Sequence, residues 1–129
     1  MKAEKIRHAI HQVWPQASIW LGDEEYICPT ALEVQAHLEQ SKLDLLTYRP
    51  DAFDCNRFAQ LAAAEMVKRS YDQDWPYPWA LGVVWGQLTI GPHAMVLFVD
   101  GDMNVWIAEP QTDEIRKPCD TDSAWVVMF

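Results

Sequence analysis

Three residues have the types and order that nucleophilic chemistry needs: Cys55, His93 and Glu109. A thiolate attacks a carbonyl carbon, an imidazole takes the thiol proton and returns it to the leaving amine, and a carboxylate fixes the imidazole tautomer. Cys55 follows Asp54, a residue that caps helices well, and opens the Gly- and Pro-free run from Asn56 to Arg69. A thiol at the first helical position feels the positive end of the helix dipole, which favours thiolate. Phe58, Ala59 and Ala62 follow at i+3, i+4 and i+7, so Cys55 shares the face that packs inward.

His93 stands after Gly91-Pro92 and before the apolar run Ala94–Val99, and Glu109 closes the run Val105–Ala108 before Pro110. Asp100-Gly101-Asp102 lies between these runs and signals a hairpin. Pairing centred on Gly101 sets residue 93 opposite residue 109 with equal parity, on one face of the sheet. A longer turn or a bulge favours Gln111 as the acid's substitute.

The elements that position these residues follow from patterning. Ile6, Ala9, Ile10 and Val13 recur at helical spacing between Ala3 and Trp14, and Pro15 ends that helix. Pro29-Thr30 opens a second helix, with Ala31, Val34 and Leu38 as its apolar face, fading near Gln40. The third is the Cys55 helix. After Ser70 the character changes to a loop stiffened by Pro76 and Pro78 and lined with aromatic residues. Strands are expected at Ala80–Trp85, Ala94–Val99, Val105–Ala108 and Ala124–Phe129. Ala94–Val99 is continuously apolar, as in a strand covered on both faces. Helices followed by an antiparallel sheet indicate an α+β fold in one domain spanning 1–129.

Asp54-Cys55-Asn56-Arg57-Phe58-Ala59 resembles the nucleophile helix of transglutaminase-like cysteine proteases and hydrolases, within the papain-like superfamily. Pro92-His93-Ala94 resembles their histidine strand, and Trp106-Ile107-Ala108-Glu109-Pro110-Gln111-Thr112 resembles the strand that ends in the third catalytic residue, which in that family is usually Asp. The resemblance covers about residues 50–116. It implies a papain-like or transglutaminase-like core and a thiol-dependent hydrolase or acyltransferase that cleaves an amide or ester bond through Cys55, His93 and Glu109. The backbone N–H of Cys55 is the expected first oxyanion donor, with Gln87 or the Trp85 indole as the second. Trp75, Trp79, Trp85 and Gln87 are expected to line the substrate cleft.

Two other readings compete. Domains on this scaffold also serve as non-catalytic binding modules, which would hold a peptide or glycan on the loop and strand from Trp75 to Trp85. The third is an acidic, phage-type inhibitor protein, suggested by a formal net charge of −9. That charge argues against nucleic acid as a partner, since the basic patch such a partner requires is lacking. The partner is expected to be a protein, peptide or glycan. Cys28, Cys55 and Cys119 form neither a CxxC pair nor a disulfide framework, and Cys28 and Cys119 are expected to be buried or incidental. His8 and His11 suit a solvated helix face. No metal or cofactor is expected. The charged start and the lack of a long apolar run indicate a cytoplasmic protein without a membrane segment.

Overall fold

A computed structural model describes residues 1–88 and 91–129. Three helices form, α1 (Ala3–Val13), α2 (Ala31–Ser41) and α3 (Cys55–Asp72), with a short 3-10 turn at Leu43–Leu45. Six strands follow the order β1 (Ser18–Trp20), β2 (Leu81–Gln87), β3 (Pro92–Val99), β4 (Val105–Glu109), β5 (Glu114–Arg116) and β6 (Ser123–Met128). They join into one sheet of order β1-β6-β2-β3-β4-β5, antiparallel except where β1 runs parallel to β6. The expected α+β arrangement is therefore present. No helix among the described residues is long and apolar enough to cross a membrane.

Side-chain caps satisfy orphan N–H groups in the first turns of α2 and α3, whereas α1 has none and its Ala3 N–H donates to the Glu24 carbonyl at 2.9 Å. Thr30 and Glu33 form a reciprocal capping box at α2. At α3 the Asp54 carboxylate accepts from the Asn56 N–H at 3.1 Å. That helix runs three residues beyond the expected end at Arg69, because Ser70, Tyr71 and Asp72 carry no breaker and Lys68 bonds Asp72 across one turn.

β3 divides the core. Ala94, Val96 and Phe98 pack with Ala59, Ala62, Ala63 and Met66 of α3 and with Val34 and Leu38 of α2. Met95, Leu97 and Val99 pack on the other side with Ile6, Ala9 and Ile10 of α1. The helices thus cover both faces of the sheet. β6 lies unusually close to β2: a Cβ placed on Gly82 would meet the Met128 carbonyl oxygen at 2.0 Å, and one on Gly86 the Ser123 carbonyl oxygen at 2.2 Å.

Two expectations are corrected. β1 and β5 were not expected as strands; each has only three residues, too few to display alternation. The β3–β4 register pairs Val96 with Ala108 and Val99 with Val105, so position 93 aligns with 111 rather than 109. The cause is a wider turn, centred on Asp102, in which the Asp100 carboxylate accepts from the N–H groups of Asp102 and Asn104, both at 2.9 Å. Of the two cysteines expected to be buried or incidental, Cys28 is half-buried and Cys119 exposed.

Gly82→Ala is expected to destabilise the protein by about 2–3 kcal/mol, as other overpacking changes do, measured by urea unfolding. Asp100 supports a second outcome. Burial alone raises its carboxyl, but hydrogen bonds from Trp106 and Asn104 and from the Asp102 N–H outweigh that and hold it below its ordinary value. A depressed folded-state pKa stabilises the fold above the unfolded value of about 3.9 and ceases to do so as pH falls through the folded value. Asp100→Ala should cost about 1–3 kcal/mol at pH 7, with the deficit shrinking below pH 4.

Candidate functional site

The N-cap at Asp54 fixes Cys55 as the first residue of α3, half-buried at the mouth of that helix. The thiol packs into the apolar cluster on the α2–α3 side of the sheet, together with Trp85. The Trp85 indole N–H donates to the Asn56 side-chain oxygen at 2.8 Å and ties β2 to the start of α3. That bond engages the indole donor expected above for an oxyanion. Gln87, the other candidate donor, lies exposed at the end of β2 opposite Pro92.

His93 Nε2 is hydrogen-bonded to Glu109 Oε2, with the two side chains only 7% and 12% exposed. The register places them diagonally, two residues apart across the ladder, which side chains of this length span. Gln111 is not the acid; its backbone N–H donates to Glu109 Oε1 at 3.1 Å and holds the carboxylate in place. Leu88 and Met95 floor a cavity of about 300 Å³ beside the pair, with Gln111, Thr112 and Arg116 on its walls.

Strand alternation decides how these parts relate. His93 has the parity of Met95, Leu97 and Val99, which face α1, whereas Cys55 belongs with Ala94, Val96 and Phe98, which face α3. The structure brings His93 and Glu109 together. Among the described residues it joins Cys55 to neither by a hydrogen bond.

The tryptophans also divide. Trp79 is buried at the far end of α3, and Trp75 lies against it with ring centroids 5.8 Å apart. The Arg69 guanidinium stands 5.9 Å from the Trp75 ring centre and 5.3 Å from that of Trp79. Arg69 is about 21 Å along the helix from Cys55 at 1.5 Å per residue, so Trp75 and Trp79 do not share a cleft with Cys55. Trp75 instead borders an open groove of about 730 Å³ with Tyr71, Asp72, Asp74 and Tyr77.

Sequence reasoning missed Asn56 and Arg69; Arg69 was legible as a cation near the Pro-rich aromatic loop. It also missed the network around Cys119. There the Arg116 guanidinium donates to the buried Asp122 carboxylate at 2.7 Å, and Asp122 accepts from the Cys119 N–H at 2.8 Å. This network joins β5 to the loop before β6. Burial pushes the Cys28 thiol up, against the lowering effect of the nearby N-terminal amino group.

A cysteine at a helix mouth, a histidine and an acid on adjacent strands, and helices on a mostly antiparallel sheet together define a papain-like α+β fold. The model of the Agglutinin C-terminal family matches residues 26–115, well over half of the sequence, and the chain belongs to that family. Two solved structures are similar along its whole length. One is described as a PSL1a-E64 complex, with a TM-score of 0.87, 20% identity and 51% of that chain covered. The other is Polyporus squamosus lectin bound to the human-type influenza-binding epitope Neu5Aca2-6Galb1-4GlcNAc, with a TM-score of 0.86, 20% identity and 49% covered. The chain thus spans about half the length of these structures, and at this identity the likeness establishes the fold. No curated protein matches the sequence significantly.

Family membership overturns the expectation of a thiol-dependent hydrolase or acyltransferase, and with it the description as a cysteine protease-like or phage-type protein. The residues carried that expectation because a papain-like fold brings its Cys, His and acid motifs whatever use a member makes of them.

The His93–Glu109 pair should contribute to stability. His93→Ala leaves a mostly enclosed carboxylate without its partner and should cost about 1–3 kcal/mol. A double-mutant cycle with Glu109→Ala should give a coupling above about 0.5 kcal/mol, measured by urea unfolding at pH 7.

Proposed function

We propose that the chain is a non-catalytic binding module that takes a glycan in the open groove bordered by Trp75. Membership of an agglutinin family carries this reading. The solved lectin of the same fold binds a sialylated glycan. The groove's chemistry suits a sugar. A pyranose has an apolar face of C–H groups and a rim of hydroxyls, and it is held by an aromatic platform flanked by a few polar groups. Trp75 supplies the platform, kept in position by Trp79 and Arg69. Tyr71, Asp72, Asp74 and Tyr77 supply hydroxyl and carboxylate groups around it. The Pro76 and Pro78 rings restrict the loop, which lowers the ordering cost of binding.

In this reading His93 and Glu109 brace the β3–β4 pair, and Cys55 fills the junction of α3 with the sheet. Binding of the full chain to an immobilised glycan panel tests the proposal. Trp75→Ala should weaken retention at least tenfold, as loss of a central aromatic anchor does at about 2 kcal/mol. Trp125→Ala, exposed on β6, should leave it unchanged. Retention of no glycan, or equal retention by Trp75→Ala, refutes the assignment.

A further inference from the structure

We propose that the cavity beside His93 and Glu109 is a second binding site, separate from the Trp75 groove, and that it takes a small uncharged alcohol with an aliphatic body. Strand alternation builds it. Glu109 pairs with Glu114 and Ile107 with Arg116, and the β3–β4 ladder carried on sets Met95 beside Glu109, so these side chains leave the sheet on the face that α1 packs against. Toward the β5 end of that face lies the hollow of about 300 Å³, floored by Leu88 and Met95. Its volume stands at the lower end of the range for small-molecule pockets. The unbranched Met95 thioether adapts to occupants of differing outline.

The His93 imidazole points to an occupant. Its side chain is only 7% exposed and lines the hollow; Nε2 is bonded to Glu109, but Nδ1 has no hydrogen-bond partner among the described residues. Nor is Nδ1 sealed in, since among the described residues Asp113 Oδ1 is the one fully enclosed side-chain atom without a partner. A polar atom so placed calls for a bond that the protein does not supply. Charge then decides the class of ligand. The Glu109 carboxylate is taken by His93 and by the Gln111 N–H, and the Arg116 guanidinium by both oxygens of Asp122. Glu114 is exposed, where water and salt screen it. A charged ligand would lose its hydration on the apolar floor with no enclosed counter-charge to replace it. A hydroxyl suits Nδ1 in either state of the ring. When Nε2 donates to Glu109 and the ring is neutral, Nδ1 accepts; when the ring is protonated, Nδ1 donates; a hydroxyl does both. The aliphatic body covers Leu88 and Met95.

The test titrates the full chain, isotope-labelled at the histidine ring nitrogens, with cyclohexanol, cyclohexylamine and cyclohexanecarboxylate at neutral pH, read by NMR. Cyclohexanol should move the His93 Nδ1 resonance saturably and leave those of His8, His11 and His37 in place. The amine and the carboxylate should bind about tenfold more weakly, because each must bury an unpaired charge. Thr112→Trp, at an exposed position on the cavity wall, should obstruct entry and abolish the saturable shift, with an unchanged circular dichroism spectrum. A His93 resonance that cyclohexanol leaves in place overturns the proposal. So does equal or tighter binding of the amine or the carboxylate, and so does an unaltered titration in Thr112→Trp. None of these outcomes bears on the Trp75 groove.

Discussion

The structure depends on β3 being apolar on both sides. From Ala94 to Val99 every residue is buried, and every second one belongs to a different helix layer. Burying both faces of one strand requires helices above and below, which is why α1 sits apart from α2 and α3. It also means that neighbouring residues on β3 live in different environments. A property of one layer is not available to the other except at the strand's ends.

That rule governs the candidate site. Cys55 packs with the residues of the α3 layer, whereas His93 has the strand parity of the residues that face α1. What remains is a tight polar pair, His93 and Glu109, enclosed beside an apolar floor and steadied by the Gln111 N–H. A buried pair of this kind contributes through the cost of breaking it more than through the gain of making it. The open groove lies at the other end of α3, where the chain loosens into an aromatic loop and has surface to offer.

Much of this was legible. Asp54 announces the start of α3, Asp100-Gly101 announces the hairpin, and the equal parity of 93 and 109 announces that their side chains meet. The register was not legible, because an Asx-type turn widens the loop through bonds from Asp102 and Asn104 that spacing alone does not reveal. Nor was the face of His93: where both sides of a strand are apolar, alternation leaves no trace in the sequence. β1 and β5 were invisible for lack of length. The motifs around Cys55 and His93 were read correctly as belonging to a scaffold and incorrectly as stating its use.

The pairing of β1 with β6 carries a kinetic meaning. Ser18–Trp20 lies parallel to Val126–Met128, and the backbone of Phe129 exchanges hydrogen bonds with Trp20 and Gly22. These contacts span almost the full chain, so closing them carries a large loop entropy before any contact rewards it. During synthesis β1 is made before β6 and cannot pair with it until β6 emerges. During that interval the Trp14 indole, which in the finished fold donates to the Asp122 carbonyl, has only water as its partner. β1 is thus locked down only once β6 is in place, although it is made before it.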